Sequence, residues 1–241
     1  MTRQRKLGVI LATVAGLDGG EVYLVATNLS RVSGNRKIGD CAQVWTIPTG
    51  GLYGHQRDAC GACPLLPQTE GGGGGCYVSK LHLTGIWSAI HAGAYAPWDG
   101  DERDFDRLHV RFGAWGDPCL VPLPIVERIA RCSLGWLGYS HEWRRPENRP
   151  YARYFMASVH TAAEAQQASA AGWRWFMSAF AGEQIPAGAV QCPHQVRGIQ
   201  CRDCQLCAGT DGSRGGSRLV NIWTDPHGPK NVVRQFNRGE Q

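Results

Sequence analysis

The chain has 241 residues, 43% hydrophobic and 19% charged, which is typical of a folded protein with a substantial core. Its formal net charge of +5 is compatible with a nucleic-acid or nucleotide substrate, but many enzymes without such substrates are equally basic. No apolar run approaches the ~20 residues that a membrane-spanning helix needs, so we expect no membrane partner.

The N-terminal segment, residues 1–32, resembles a signal peptide because basic residues precede a short apolar run. That run is broken by Gly16 and Asp18 and leads into "EVYLVATNLS", which predicts the second strand of a hairpin. We therefore expect a hairpin rather than an export signal, and a reducing, cytoplasmic compartment. In such a compartment clustered cysteines are more often metal ligands than disulfides.

Strand-like and helix-like segments alternate after the hairpin. The predicted strands are "AQVWTIP" (42–48), "LHVRFGAWGDP" (108–118), "WLGYSHEW" (136–143), "YFMASVH" (154–160), "WRWFMSAF" (173–180) and "RLVNIWTDPHG" (218–228). The predicted helices lie within 77–93, 122–134 and 161–172, the last one capped by Thr161 and Glu164. This order predicts one α/β domain over 1–241, with parallel strands forming a complete or partial (β/α) barrel. In such folds functional loops, here carrying cysteines, lie at the carboxyl ends of strands.

The C-terminal segment, 191–228, contains the closely spaced thiols Cys201, Cys204 and Cys207. Thiolates two residues apart can bind one ion from a tight turn, so we expect Zn²⁺ here. Two residues are available as the fourth ligand. Cys192 would complete a set suited to zinc or an iron–sulfur cluster, and His227 would complete a structural zinc site.

A second cysteine group, Cys60, Cys63 and Cys76, lies in the loop after the strand that ends at Pro48. It predicts a second zinc, with Cys41 or His55 as the fourth ligand, or an iron–sulfur cluster with one iron open to a substrate or cofactor.

Polar residues follow several predicted strands and form the candidate catalytic and substrate-binding set. Asp117, Asp225 and His141 are the candidates for nucleophilic or acid–base roles, although Asp117 could instead cap a helix. The candidates for binding a base and its phosphates are Tyr139, Trp143, Arg144, Arg145 and His160. For His160 a local structural role competes, because Thr161 caps the next helix.

The segments "CGACPLL", "RFGAWGDP", "LGYSHEWR", "FMASVHTAAEAQQASAAGWR" and "VQCPHQVRGIQCRDCQLC" together resemble an uncharacterised bacteriophage and mobile-element family. The resemblance covers roughly residues 33–228 and implies the cytoplasm of an infected bacterial host. It implies no particular chemistry.

At a coarser level, Cys201, Cys204, Cys207 and His227 resemble the zinc site of the guanine (7-deazaguanine) transglycosylases of tRNA and DNA. Here the first gap is two residues rather than one, and Cys192 is an additional cysteine. That resemblance implies a barrel-shaped base-exchange transferase with two catalytic aspartates. No motif around Asp117 or Asp225 is close enough to carry those roles over.

Two other functions compete with a transglycosylase that acts on DNA and a small nucleobase. Cys60, Cys63 and Cys76, with Tyr77 following, resemble the cluster loop of the radical S-adenosylmethionine-like barrels in placement but not in spacing. The other alternative is a zinc-dependent nucleic-acid-binding protein without catalytic activity.

Overall fold

The computed structural model of the chain describes residues 6–30, 36–66, 75–76, 78, 80–213, 219–226, 230 and 233–234. The chain begins with the predicted hairpin, in which β1 (Gly8–Ala15) and β2 (Glu21–Thr27) pair antiparallel. The third strand, β3 (Cys41–Pro48), is antiparallel to β2 and buried along its whole length. The hairpin therefore lies on one side of β3 in the sheet, and strands parallel to β3 lie on its other side.

The first sheet has six strands in the order β4-β1-β2-β3-β5-β6. Its remaining strands are β4 (Ala96–Pro97), β5 (His109–Trp115) and β6 (Gly135–Leu137). Strands β3, β5 and β6 are parallel neighbours, so their carboxyl ends lie at the same edge.

The second sheet has five parallel strands in the order β10-β11-β9-β8-β7. They are β7 (Tyr139–Ser140), β8 (Met156–Val159), β9 (Trp175–Ser178), β10 (Val190–Gln191) and β11 (Ile222–Thr224). The predicted strand 136–143 is therefore divided at Gly138, where a Cβ atom would lie 2.7 Å from the ring of Phe155. The prediction of an α/β fold with parallel strands is confirmed. Strand pairing among the described residues gives two sheets rather than one closed barrel.

A helix lies within each of the three predicted segments, and three short helices were not predicted. The α-helices are α1 (Gln56–Cys60), α2 (Lys80–His91), α3 (Leu123–Cys132), α4 (Ala162–Ala170), α5 (Pro193–Arg197) and α6 (Cys201–Cys204). Short 3₁₀ segments cover Glu102–Asp104, Pro118–Leu120, Glu142–Arg144 and Pro146–Arg153. The predicted cap of α4 is confirmed, because Thr161 Oγ1 accepts a 3.1 Å hydrogen bond from Glu164 N.

The largest core cluster joins the hairpin, β5, α3, β8 and β9. Phe112 of β5 and Phe155, just before β8, are fully buried with ring centroids 5.2 Å apart, so the two sheets share apolar contacts. No helix in the described ranges is long and apolar enough to cross a membrane. The carboxyl ends of the parallel strands carry the polar side chains described next.

Candidate active site and metal centres

A cavity of about 310 Å³ lies at the carboxyl ends of the parallel strands. Alternate residues of three strands line it, as the two-residue period of a strand allows. These are Tyr139 and His141 from β7 and its end, Ser158 and His160 from β8 and its end, and Phe176 and Ser178 from β9. On β5 the pairing with β3 is irregular, and Arg111 and the consecutive residues Gly113, Ala114 and Trp115 line the cavity. Tyr139, His141 and His160, three of the predicted site residues, thus lie together at these strand ends.

The N-terminal cysteine loop forms one wall of the same cavity, with Cys60, Cys63 and Cys76 all lining it. Helix α1 ends at Cys60, and a turn places Cys63 N 3.1 Å from Cys60 O. Burial raises the pKa of the Cys60 thiol well above its usual value and that of Cys63 to about 12. The neighbouring thiols of the group add to both shifts, because a thiolate beside another thiolate is disfavoured.

These thiols supply the donor type that soft metals prefer. Within the described part of the chain, however, no set of three or more His, Cys, Asp or Glu side chains has the geometry of a metal site. What links these thiols to a metal is their donor chemistry and their placement along one wall of the cavity.

Asp117 lines the cavity but its carboxylate faces four donors. Oδ1 accepts hydrogen bonds from Cys119 N (3.0 Å) and the Ser140 hydroxyl (2.8 Å). Oδ2 accepts from His141 N (2.8 Å) and Glu142 N (3.1 Å). Burial raises the pKa of the carboxyl, while these hydrogen bonds oppose the rise. Asp117 thus joins the end of β5 to the end of β7, and it caps the 3₁₀ turn at Pro118 rather than helix α3.

Two histidines face each other beside the cysteine loop. Their Nε2 atoms are 3.0 Å apart, and Cys63 Sγ is 3.9 Å from His141 Nε2. His160 Nδ1 lies 2.9 Å from Ser178 O, so this nitrogen carries the proton and Nε2 is left as the acceptor. Burial holds the pKa of His141 well below its usual value and also lowers that of His160. Both rings are therefore neutral near pH 7.

The remaining substrate-binding candidates do not line the cavity. Trp143 is buried and donates from Nε1 to Ser158 O at 3.2 Å, with the Arg144 guanidinium stacked 4.3 Å from its ring centroid. Arg144 also contacts Glu164 at 2.6 Å, and Arg145 contacts Glu142 at 2.5 Å. Trp143, Arg144 and Arg145 thus serve the packing of this corner, because their polar atoms are directed to protein partners.

Asp225 is likewise away from the cavity lining, although its neighbour Pro226 contributes to it. The Asp225 side chain is exposed at the end of β11, with Gln191 Nε2 3.4 Å from Oδ2. None of the four groups that donate to the Asp117 carboxylate belongs to Asp225 or to its partner Gln191. The two aspartates do not form a pair.

The C-terminal thiols of Cys192, Cys201, Cys204 and Cys207 line a second, small cavity of about 20 Å³. This is roughly the space that one water-sized particle needs. Burial raises the pKa of Cys207 far above its usual value, and the other three thiols raise it further. Cys192 is therefore grouped with the three closely spaced cysteines. His227, the other predicted ligand, lies outside the described residues, as does Tyr77.

Sequence reasoning missed several cavity residues, among them Arg111 and Phe176. Arg111 could have been found, since it lies on the predicted strand that leads to Asp117. It also missed Glu142, whose Oε1 accepts a hydrogen bond from Ala62 N inside the cysteine loop. Comparisons of the chain with protein-family models, with curated proteins and with solved structures found no match.

Proposed function

We propose that the protein is an iron–sulfur enzyme that uses the loop of Cys60, Cys63 and Cys76. The observation that supports this is the placement of all three cysteines on the wall of one cavity at the strand ends. Small-molecule sites of α/β proteins occur at this edge of the sheet.

The donor set fits such a cluster. Cysteine thiolates hold iron–sulfur clusters, and three of them leave one iron of a four-iron cluster without a protein ligand. When bound, the cluster supplies one-electron transfer at that open position. Zn²⁺ fits the four C-terminal thiols, because a closed set of four cysteines is typical of structural zinc.

The residues around the loop position it and shape the cavity. Glu142 holds the amide of Ala62, and Asp117 orders the turn that carries His141 and Glu142. His141, beside Cys63, is a neutral ring that can accept or donate a hydrogen bond to a ligand in the cavity. The aromatic rings of Trp115 and Phe176 exclude water from the walls.

A DNA-acting transglycosylase is less well supported. Its nucleophile would be Asp117, and both oxygens of that carboxylate already accept two hydrogen bonds each. Such an arrangement positions backbone rather than leaving an oxygen to attack a sugar carbon. The nucleic-acid partner, the nucleobase and the phage host all remain predictions.

Metal analysis of protein purified and reconstituted without oxygen tests the proposal. We expect about four irons and matching sulfide per chain, with the broad visible absorption of a cluster. Cys60→Ser, Cys63→Ser and Cys76→Ser should each remove most of that absorption. The matched control is Cys132→Ser on α3, whose thiol contacts Ile129 O and lies outside both cavities. Reconstituted protein that holds zinc and no iron would refute the proposal.

A further inference from the structure

The C-terminal segment around Cys207 lies directly against the start of β7. Gly138 N donates a 3.3 Å hydrogen bond to Cys207 O, so the two segments run side by side. The Tyr139 hydroxyl donates a hydrogen bond to Cys207 Sγ, and both side chains line the small cavity. The Tyr139 ring is held in turn by Phe176, with ring centroids 4.4 Å apart. A hydroxyl that donates to sulfur stabilises the thiolate over the thiol.

Arg174, just before β9, holds the chain on both sides of Cys207. Only 8% of its surface is exposed. Its two terminal nitrogens donate to four backbone carbonyls, those of Leu206 (2.9 Å), Ala208 (2.7 Å), Gly209 (3.1 Å) and Val220. The carbonyls that precede and follow Cys207 are therefore fixed by one side chain.

The charge of Arg174 requires a partner. No carboxylate in the described part of the chain forms an ion pair with this guanidinium. Burial lowers its pKa, and the sulfur of Cys207 opposes that shift. A buried charge is costly unless hydrogen bonds and an opposite charge compensate for it. The carbonyls supply the hydrogen bonds but no net charge, so a Cys207 thiolate is the group that can balance the cation.

A bound cation accounts for a thiolate at this position, because thiols lose their protons when they bind a metal. Four thiolates around one divalent cation keep a net negative charge, which a neighbouring guanidinium can balance. Cys192, Cys201 and Cys204 line the same small cavity as Cys207, and its volume of about 20 Å³ is roughly that of one ion or water.

We propose that the C-terminal cysteines bind one thiophilic divalent cation in an anionic centre that Tyr139 and Arg174 support. Tyr139 donates its hydroxyl proton to the Cys207 thiolate, while Arg174 fixes the neighbouring carbonyls and balances the charge. Partners of this kind orient metal ligands and tune their affinity. Tyr139 and Cys201 also line the large cavity, so the centre forms part of its wall. This inference goes beyond the proposed function, because the centre needs no cluster at the N-terminal loop.

Zinc affinity, measured by competition with a chromophoric chelator, tests the proposal. The full-length protein carries Cys60→Ser, Cys63→Ser and Cys76→Ser, so that the measurement reports on the C-terminal centre alone. Tyr139→Phe and Arg174→Met should each weaken zinc binding about 10- to 100-fold, as is typical when a partner of a metal ligand is lost. Arg174→Lys, which keeps the charge but cannot bind four carbonyls, should recover part of that loss.

Two matched controls lose equivalent hydrogen bonds elsewhere. The Tyr151 hydroxyl donates to Val121 O at 2.9 Å, and Arg128 Nη2 donates to Gly100 O at 2.6 Å. Tyr151→Phe and Arg128→Met should therefore lower the free energy of unfolding without changing zinc affinity.

Cobalt in place of zinc distinguishes support of the thiolate from general loosening of the fold. A hydrogen bond lowers the energy of the sulfur electrons, so its loss should move the sulfur-to-cobalt charge-transfer band to longer wavelength. We expect this shift in Tyr139→Phe and none in Tyr151→Phe.

Each variant is first compared with its parent by near-ultraviolet circular dichroism. Unchanged zinc affinity in folded Tyr139→Phe or Arg174→Met would overturn the role assigned to that residue, and a parent protein that binds no zinc would overturn the centre itself. If Arg174→Met does not fold, Tyr139→Phe decides, since it removes a single hydroxyl. Iron content of the reconstituted wild type reports separately on the N-terminal cluster, so either proposal can fail without the other.

Discussion

Glu142 Oε1 accepts a 3.1 Å hydrogen bond from Ala62 N, so a residue beyond β7 holds the turn between Cys60 and Cys63. The other carboxylate oxygen, Oε2, lies 2.5 Å from Arg145 Nε. Glu142 is buried, so its charge needs both partners. The two cysteines are thereby positioned by a residue about eighty positions further along the chain.

Gly61 is the position in this turn that tolerates a side chain least. Its φ is +54°, and a Cβ atom would collide with Glu142 Oε1. We expect Gly61→Ala to cost roughly 1–3 kcal/mol of local strain and to displace the loop. Iron bound after reconstitution should fall to a small fraction of the wild-type content, while C-terminal zinc is retained.

Gly85→Ala is the matched control for that change. Gly85 is inside α2, and a Cβ atom there would meet no other heavy atom within 4 Å. Alanine in a helix interior is favoured over glycine by about 0.5–1 kcal/mol, so this variant should unfold at a slightly higher urea concentration than the wild type. Because Gly85 is outside the cysteine loop, iron binding should be unchanged. Equal iron content in Gly61→Ala and Gly85→Ala would contradict the role assigned to the turn.

Asp117→Asn should destabilise the fold. The amide has one oxygen in place of two, so at least one pair of donors among Cys119 N, Ser140, His141 N and Glu142 N loses its acceptor. We expect a loss of about 1–3 kcal/mol for buried donors left unsatisfied, measured by urea unfolding. Asp225→Asn, at an exposed carboxylate, should change stability by less than about 0.5 kcal/mol. Unchanged stability of Asp117→Asn would return this residue to the catalytic candidates.

The free energy of unfolding should decrease as the pH is lowered below about 6.5, because His160 is buried as a neutral ring. Burial lowers its pKa in the folded state, whereas in the unfolded chain the ring titrates near the ordinary value of about 6.5. Below that pH the unfolded chain takes up a proton that the folded chain does not. The free energy of unfolding then decreases, by up to about 1.4 kcal/mol per pH unit, until the folded-state pKa is reached.

Removal of that ring should flatten the pH dependence. In His160→Asn the side-chain amide can still donate to Ser178 O, which His160 Nδ1 does in the wild type. Urea unfolding between pH 7 and pH 5 should show a smaller slope in this variant. His82→Asn, at an exposed position of α2, serves as the control and should keep the wild-type slope.

Local signals in the sequence were enough to predict the hairpin, the parallel strands and the cap of α4, because each depends on neighbouring residues. The division at Gly138 depends on Phe155, seventeen positions away, and strand pattern alone could not indicate it. Trp143 is of the residue type that stacks on bases, but it is buried and its Nε1 donates a hydrogen bond to Ser158 O. Arg111 was not predicted to line the cavity. Whether a charged residue of a strand faces solvent or a cavity depends on which face of the sheet is buried, and the sequence of the strand does not indicate that.

The identity of the fourth C-terminal ligand can be resolved by metal affinity. Cys192, Cys201, Cys204 and Cys207 line one small cavity, so we expect one zinc per chain bound by all four. Cys192→Ser should weaken zinc binding by about 100-fold or more, as measured by competition with a chromophoric chelator. Cys132→Ser and His227→Asn should leave it unchanged.

Because metal affinity contributes to folding free energy, Cys192→Ser should also lower the melting temperature, and chelation should lower that of the wild type to a similar value. A variant at Cys192 that keeps full zinc affinity, beside a His227→Asn protein that loses it, would instead assign the fourth position to the histidine.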